Sequence, residues 1–525
     1  MCSASPPPPL PSSTAPRALT IHPPAPAWSP FLSFLTSPTA PGPLPTPLAT
    51  LIPRFRQQLG LPTDRPVIAS GHQVGLWHGG IVAKYLAAHA AARATGAAVL
   101  WVVVDHDPED FVHLRVPIRT ASGVLSAATI PIAPPPVAAS VRAGLPPCLI
   151  PAFAPTDLTS APLPAGATLA LPHLAGHLGA VSAALRAAQQ SMAAQGRTGV
   201  AAEQFTLAGL ALLHDLAGIA ERDLAPLTIA YTSKLGQTDA FVMLVNHLGR
   251  TAAQAIPQYN SAIAAHPAAG RPLLADAKAH RYELPLWSID PVSGLRKRLF
   301  ATGPGGAGSS DTAVSAGLPQ QMAPRALLLT TLIRLLGCEL FIHGTGGGST
   351  LASAQHPAGL PGYDAAAELW ARRWLGEALA PTAVVTADLH LPLAGTLTAD
   401  LPASLAADLS PRAVAHARWV ARSARFDPLA VSDRAAAAAK AAILAEIRAA
   451  STRTERKAAF LRLHDHLTTY RARHADLFSR LDTHATTLAH AAAAAAITTD
   501  RTWPFPLHTP DALAALWSSL RSSFN

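Results

Sequence analysis

The stretch from Arg65 to Val104 constrains the fold more than any other part of the sequence. Apolar runs at Arg65–Ser70 and Val99–Val104 have the length and the β-branched content of buried strands. The segment Ile81–Ala94 between them has the composition of a helix. A strand, a helix and a strand over this length form a right-handed βαβ unit with parallel strands. The sequence therefore predicts an α/β protein built on a parallel sheet.

A loop rich in glycine and histidine, residues 71–80, follows the first predicted strand. Ligands of open α/β sheets bind outside the carboxyl ends of the strands, so this loop is predicted to face a ligand. Its glycines would let the backbone approach an anion at the start of the next helix, although the loop matches no standard phosphate-binding spacing. The alternative is a tight turn that needs glycine for its geometry. The candidate binding residues are Gly71, His72, Gln73, Gly75, His78, Gly79 and Lys84.

The second predicted strand ends in Asp105, His106 and Asp107, and His113, a further candidate binding residue, follows closely. Because side chains alternate between the two faces of a strand, Asp105 and Asp107 would lie on one face and His106 on the other. The two carboxylates would then orient an amine or hold Mg²⁺. His106 would act as a base near neutral pH. Asp105, His106 and Asp107 are therefore the predicted catalytic residues. Two alternatives stay open: a capped, solvated turn, and a hydrolase metal site in which His113 joins the two carboxylates.

A third strand-like run, Cys338–His343, ends in a second glycine-rich loop at 344–348. If this strand joins the same sheet, its loop lies at the same edge as the first two. The loop is predicted to be either a second anion-binding loop or a flexible connector. The candidate binding residues in and around it are Gly344, Gly346, Gly347, Arg325, Tyr363 and Asp364.

The chain of 525 residues carries a formal net charge of +9, and only 14% of its residues are charged. No basic run is interleaved with aromatic residues, so small anionic substrates are expected rather than nucleic acid. No window resembles a membrane span, and the amino terminus lacks the pattern of a secretory signal. The three cysteines form neither a disulfide framework nor a zinc pattern. We therefore expect a cytoplasmic protein that does not enter the membrane.

Apolar residues recur at heptad spacing near the carboxyl terminus, where Phe460, Leu467, Leu481 and Leu488 share one position. This spacing predicts a coiled coil or a long helical hairpin, with residues 433–450 as the partner segment. The alternative is an amphipathic helix that packs on its own domain.

Composition divides the chain into six predicted segments. The proline-rich segment 1–48 is predicted to be disordered, apart from local anchoring by Trp28, Phe31 and Phe34. The others are a first core part at 49–248, an inserted region at 249–320, a second core part at 321–428, a helical segment at 429–498 and a tail at 499–525 that packs on the core.

The ordered series of these segments resembles the BshC-type cysteine-adding enzymes of bacillithiol biosynthesis. Residues 70–80 are similar to the first glycine loop of that family, and Val104-Asp105-His106-Asp107 to its acidic strand end. Pro324-Arg325 and the second glycine loop follow in the order of the family. His72 and Val104 stand where the family has Gln and Glu, and the second loop lacks its Pro-Gly-Glu. Close similarity is confined to these segments.

The resemblance implies a Rossmann-like core akin to that of nucleotidylyltransferases, with inserted segments and a coiled coil that makes a homodimer. It implies a ligase that joins the carboxyl group of cysteine to the amine of glucosaminyl malate, or a paralogue that joins a different acid and amine. ATP or ADP with Mg²⁺ is the expected cofactor, because a free carboxylate must be activated before an amine displaces its oxygen.

On this hypothesis the two glycine loops hold anionic groups. Asp105 or Asp107 positions the amine, and His106 takes its proton. The alternatives are a catalytically inactive binding or assembly protein and a metal-dependent hydrolase that uses the Asp-His-Asp cluster.

Overall fold

The computed structural model describes residues 18–32, 47–302, 322–325, 327–345, 362–393 and 409–525. In this part of the chain the strands are β1 (Ala18–His22), β2 (Val67–Gln73), β3 (Ala98–Val104), β4 (His113–Arg119), β5 (Leu125–Pro131), β6 (Thr168–Leu169), β7 (Leu227–Tyr231), β8 (Ala275–Asp276), β9 (Arg281–Ile289), β10 (Arg296–Thr302), β11 (Met322–Pro324), β12 (Leu340–His343) and β13 (Thr382–Asp388).

The helices of the described residues follow the same chain order. They are α1 (Ser29–Leu32), α2 (Leu48–Leu59), α3 (Gly79–Thr95), α4 (Pro135–Arg142), α5 (Leu174–Ala194), α6 (Ala201–Leu216), α7 (Thr232–Leu235), α8 (Asp239–Arg250), α9 (Ala252–Ala265), α10 (Leu327–Leu332), α11 (Tyr363–Leu375), α12 (Pro411–Ser423), α13 (Arg434–Ala449), α14 (Arg453–Arg473), α15 (Ala475–Thr498) and α16 (Pro510–Phe524).

The central sheet has six strands in the order β1-β13-β12-β2-β3-β7. Five of these strands are parallel, and β1 pairs antiparallel with β13 at one edge. Numbered along the chain, the parallel strands lie in the order 3-2-1-4-5, so the strand order reverses between β2 and β12. The predicted α/β class is confirmed. The three predicted strands lie in this one sheet, and the loops that follow them share one edge.

Helices cover both faces of the central sheet. Along β3, Val99, Trp101 and Val103 belong to one apolar core, whereas Leu100 and Val102 belong to the other. Helices α3, α5, α6 and α16 contribute to the first core, and α2, α8, α9, α10 and α11 to the second. Because both faces of β3 are buried, its sequence is a continuous apolar run rather than an alternating one.

Residues 18–32 belong to the fold, although segment 1–48 was predicted to be disordered apart from local anchoring by three aromatic residues. Strand β1 pairs with β13, and Trp28 is 1% exposed with its ring centroid 4.8 Å from that of Phe524. The prediction is wrong for these residues because the high proline content of the segment outweighed the signal of one short apolar strand and one tryptophan. The anchoring role expected for Trp28 agrees with its burial. Residues 1–17 and 33–46 lie outside the described residues.

Two smaller antiparallel sheets flank the central one. One has the order β5-β4-β6, and the other has the order β10-β9-β11 with β8 beside β9. Strand β11 pairs with β9, so it belongs to the inserted sheet and not to the second core part to which its residues were assigned. Helix α9, which was assigned to the inserted region, packs on α11 in the core.

Helices α12 to α15 form what we call the helical arm, residues 409–498. Within it α13 packs against α14, and α12 packs against α15. The predicted partner segment 433–450, which contains α13, therefore packs against the first part of the heptad region. His474 separates α14 from α15, so the heptad pattern spans two helices. Phe460 is exposed and Leu488 is buried. These heptad residues therefore do not line one continuous core within the chain.

The segment 499–525 returns to the central sheet. Trp503 and Phe505 are fully buried, and the Phe505 N–H donates a hydrogen bond to the Trp77 carbonyl (2.6 Å). Helix α16 packs on α3, the helix between the first two strands. This return places Arg501 at the edge where the three loops meet. Among the described helices, none has both the length and the apolar character needed to cross a bilayer.

Candidate functional site

A pocket of about 490 Å³ opens where the strand order reverses, between the carboxyl ends of β2 and β12. This is the position at which open α/β sheets bind ligands, and the volume is within the range of small-molecule sites. The predicted site residues that line it are Gly71, His72, Gln73, His78, Lys84, Gly344 and Tyr363. The polar lining also includes Thr330, His343, Thr345, Thr386 and Arg501.

Lys84 brings a positive charge to the pocket from the second turn of α3. Its Nζ donates a 2.8 Å hydrogen bond to the Gly71 carbonyl, and it lies 6.0 Å from the ring centroid of Trp101. Burial lowers the pKa of Lys84 to about 8. The amine is therefore mostly protonated at neutral pH. An ammonium group has three donors, so two protons remain beyond the bond to Gly71.

Two histidines of the first loop are neutral hydrogen-bonding groups. Burial lowers the pKa of His72 to about 3, and the charge of Lys84 adds to the effect. Burial also lowers the pKa of His78, with Arg501 and Lys84 acting in the same direction. The His78 Nδ1 accepts a hydrogen bond from the Gly80 N–H (3.1 Å) and so caps α3. Positive charge in the pocket lining comes from Lys84 and from Arg501, whose Nη1 donates a 2.8 Å hydrogen bond to the Asp388 carboxylate.

His343, the last residue of β12, pairs with Asp364 in the first turn of α11. The His343 Nδ1 lies 2.6 Å from the Asp364 Oδ2. Behind this pair, the Arg334 Nη1 is 3.8 Å from the Asp364 Oδ1, and the Arg334 Nη2 is 3.2 Å from Glu368. Arg334 lies on a π-helical turn, Ile333–Gly337. Such turns often occur at functional sites because they move one residue out of the regular helical register.

The glycines of the first loop are needed for packing. A Cβ on Gly71 would lie 2.1 Å from the Val102 carbonyl oxygen, and a Cβ on Gly79 would lie 2.8 Å from the Leu389 Cγ. Gly75 has a φ of 149°, which favours glycine, and it does not line the pocket. These contacts agree with the tight-turn alternative rather than with a glycine cradle around an anion.

Asp105 and His106 are buried in contacts with α7. Asp105 accepts hydrogen bonds from the Thr232 hydroxyl (2.9 Å), the Ser233 N–H (2.8 Å) and the Ser233 hydroxyl (2.5 Å). The His106 Nδ1 is 2.6 Å from the same Thr232 hydroxyl, so the two side chains do not point to opposite sides. Strand β3 ends at Val104, and the alternation ends with it. Burial lowers the pKa of His106 although nearby carboxylates oppose this.

Asp107 is the most exposed of the three residues in the cluster. Its Oδ1 accepts a 2.6 Å hydrogen bond from the Arg296 Nη1 of β10, and 30% of its side chain is exposed. Burial raises the pKa of Tyr363, and the charges of Asp364 and Asp107 are smaller causes in the same direction. The Asp107 carboxylate therefore acts on a side chain that lines the pocket.

The other predicted site residues lie elsewhere. The His113 Nδ1 lies 2.8 Å from the Asp110 carboxylate. The Arg325 Nη1 donates a 2.8 Å hydrogen bond to Glu283, which lies on β9 of the inserted sheet. Gly346 and Gly347 lie outside the described residues. In the described part of the chain, no group of three or more His, Cys, Asp or Glu side chains is arranged to hold a metal ion. The three ligands expected for a hydrolase metal site thus have separate partners.

Five polar residues of the pocket lining were not predicted from the sequence, and His343 and Arg501 are the two with titratable or charged side chains. His343 was included in an apolar run, yet a histidine at the carboxyl end of a parallel strand is itself a signal of a site. Arg501 belongs to the tail that was predicted to pack on the core, but no local pattern predicts that its side chain reaches the pocket.

Comparison with known proteins assigns no family. No protein-family model matches the chain, and no curated protein shows significant sequence similarity to it. Function is therefore inferred from the geometry of the pocket.

Proposed function

We propose that the protein is an amide-forming ligase that uses a nucleotide to activate a carboxylate. The observation that carries this proposal is the pocket between β2 and β12, at the reversal of strand order, whose lining includes the buried ammonium group of Lys84 and the guanidinium group of Arg501. The order 3-2-1-4-5 with helices on both faces supports a Rossmann-like core. Cores of this type bind nucleotides in that crevice.

The residues of the pocket fit the phosphates of a nucleotide. Lys84 has two protons to offer, and Arg501 adds a second cation at the opening. Helix α3 begins beside the pocket, so its positive dipole end favours an anion there. When bound, the nucleotide would convert a carboxylate oxygen into a good leaving group, and Mg²⁺ would accompany its phosphates.

Asp107 is the residue proposed to orient the attacking amine. It is partly exposed and acts on Tyr363 of the pocket, whereas the Asp105 carboxylate is fully occupied by α7. Cysteine as the acid and an amino-sugar conjugate such as glucosaminyl malate as the amine are proposed from the resemblance to BshC-type enzymes. A related acid and amine would satisfy the same chemistry.

A binding or assembly protein is the second candidate function. The structural use of Asp105 and His106 favours it, because two of the three predicted catalytic residues hold α7 in place. A protein that kept the pocket but lost the chemistry would bind a nucleotide and form no amide. Measured ligation therefore separates the two candidates.

We also propose that the helical arm joins two copies in a homodimer, as the resemblance implies. Five of the exposed large apolar side chains among the described residues belong to the arm: Trp419, Phe426, Leu429, Phe460 and Leu461, at 62, 49, 61, 53 and 56% exposure. Their burial between two copies would remove this apolar surface from water. Light scattering after size exclusion should give twice the mass of the chain, and a monomer at micromolar concentration would contradict this proposal.

Thermal stability with ATP, ADP and Mg²⁺, alone and with cysteine, tests the proposed function. A ligand at a hundred times its dissociation constant adds about 2.7 kcal/mol to the free energy of unfolding. Lys84→Met should abolish the nucleotide-dependent rise. Lys234→Met is the matched control, because Lys234 forms an ion pair with Glu203 outside the pocket. A wild-type protein that responds to no nucleotide would contradict the proposed function.

A further inference from the structure

We propose that His343 and Asp364 form a proton-transfer pair, in which the His343 Nε2 is the base that deprotonates the attacking amine. Arg334 is the positioning residue that holds Asp364. This inference rests on the proposed function of the same pocket and names the residue that handles its proton. Neither His343 nor Arg334 was among the residues expected from the sequence.

The ring of His343 is fixed in one orientation. Its Nδ1 lies 2.6 Å from the Asp364 Oδ2, and its ring makes edge contacts with Phe341 and Tyr363 at centroid distances of 4.5 and 6.0 Å. When Nδ1 carries the proton that bonds the carboxylate, the lone pair of the neutral ring is on Nε2. His343 lines the pocket, so this nitrogen is the one available to a ligand.

Asp364 is held as a carboxylate by Arg334. The Arg334 side chain is 4% exposed, and its Nε donates a 2.7 Å hydrogen bond to the Ala380 carbonyl. Its Nη1 donates to the Asp364 carbonyl (3.2 Å) and lies 3.8 Å from the carboxylate. In the part of the chain that is described, the Asp364 Oδ1 is buried without a hydrogen bond. The Asp364 carboxylate therefore faces the guanidinium group of Arg334 on one side and accepts the Nδ1–H of the neutral His343 ring on the other.

This arrangement suits a base that becomes charged during the reaction. An imidazolium formed at His343 would lie against a buried carboxylate that is already oriented, which is the arrangement that stabilises it in hydrolytic triads. His106 lacks such a partner, because its Nδ1 contacts the Thr232 hydroxyl. Two other pairs, His113 with Asp110 and His474 with Asp433, have similar distances but do not line the pocket.

The proposed step is balanced in atoms and charge. The carboxylate oxygen first attacks the terminal phosphorus of a nucleoside triphosphate, and the bond from that phosphorus to the nucleoside diphosphate breaks. The diphosphate leaves with the electron pair, and the carboxylate oxygen now carries a phosphoryl leaving group. The amine nitrogen attacks the carbonyl carbon and a C–N bond forms, while the C–O bond breaks and the leaving group takes its electron pair. The proton of the amine passes to the His343 Nε2 and then to solvent.

The first test separates carboxylate activation from proton transfer. Hydroxylamine traps an activated carboxylate without a base, because it is uncharged and nucleophilic at neutral pH. We expect His343→Gln to keep the nucleotide-dependent thermal shift and hydroxamate formation from cysteine and ATP. Amide formation with an ordinary amine should fall by a factor on the order of 100 or more. His113→Gln, which breaks the comparable surface pair, should behave as wild type.

Asp364→Asn should lower the rate of amide formation and move its pH dependence, because the ring loses its orienting carboxylate. Amide formation at the wild-type rate by His343→Gln would overturn the inference. Loss of both hydroxamate and amide in that variant, with the fold intact, would overturn it as well, because His343 would then act in activation. A wild-type protein that forms no hydroxamate would overturn the proposed function instead.

A second measurement tests the pair without any substrate. In protein labelled with ¹⁵N-histidine, the His343 signals are identified by their absence in His343→Gln. The neutral ring should carry its proton on Nδ1, next to the Asp364 carboxylate, and Asp364→Asn should raise the population of the tautomer with the proton on Nε2. A proton on Nε2 in the wild type, or an unchanged tautomer ratio in Asp364→Asn, would overturn the inference whether or not the protein is a ligase.

Discussion

Two places at the same edge of the central sheet are rich in polar residues, and they differ in what those residues contact. Between β2 and β12, Lys84, His343 and Arg501 surround a pocket. At the end of β3, Asp105 binds α7 and Asp107 binds Arg296. The second place is the denser in sequence, but its side chains bind α7 and β10 and do not line the cavity. In the first place Lys84 keeps two N–H donors beyond its bond to Gly71, although His343 and Arg501 are paired with aspartates. A functional site is therefore indicated by polar groups that line a cavity, more than by their number.

The largest expected effect concerns the glycine that supports the pocket. Gly71→Ala should lower the free energy of unfolding by about 3 kcal/mol or more, because the added Cβ would meet the backbone of β3 at 2.1 Å. Gly209→Ala is the control, since a Cβ there meets nothing within 4 Å, and it should stabilise α6 by less than about 1 kcal/mol. Urea denaturation measures both. A Gly71→Ala variant as stable as the wild type would show that the Gly71 Cα has free space beside it, as an anion-binding loop requires, and would contradict the packing role.

The next largest effect contrasts the two aspartates of the β3 end. Asp105→Ala should destabilise the protein by about 3 kcal/mol, because it leaves buried donors of Thr232 and Ser233 without partners. Asp107→Ala should cost less than about 1 kcal/mol and should abolish ligation. Urea denaturation and the ligation assay measure the two properties. Wild-type ligation activity in Asp107→Ala would contradict the proposal that Asp107 orients the attacking amine.

A smaller effect should appear as a pH dependence. Burial lowers the pKa of Lys84 to about 8 from a model-compound value of 10.5, so the unfolded chain binds more protons in that interval. The stability contribution of this group therefore rises with pH between these values, by up to about 3 kcal/mol. Over the same interval the affinity for an anionic ligand should fall as the folded amine loses its proton. Denaturation and nucleotide titrations across the interval should show both trends, and Lys84→Met should show neither.

Much of the central architecture could be predicted because it is encoded locally. The apolar runs that became β2, β3 and β12 are continuous because both faces of the sheet are covered. The rule that ligands bind at the carboxyl edge then located Gly71, His72 and Gly344 at the pocket before any contact was known.

The remaining features depend on contacts between distant parts of the chain. Asp105 looked catalytic because its partners, Thr232 and Ser233, lie far away in sequence on α7. Strand β1 forms only by pairing with β13, so its five residues carry too weak a signal on their own. Arg501 depends on the return of the tail across α3. Tertiary contacts of this kind have no periodicity that a sequence reveals.

The most direct test of the central claim, that the pocket between β2 and β12 binds the nucleotide, is a titration of ATP with Mg²⁺ into three proteins. Arg501 and Arg115 are matched: each forms an ion pair with an aspartate, and their side chains are 46 and 44% exposed, but only Arg501 lines the pocket. Arg501→Gln should weaken binding by roughly fivefold, as expected for one solvent-screened charge. Arg115→Gln should bind as tightly as wild type. Equal affinities in all three proteins would place the nucleotide elsewhere and contradict the claim.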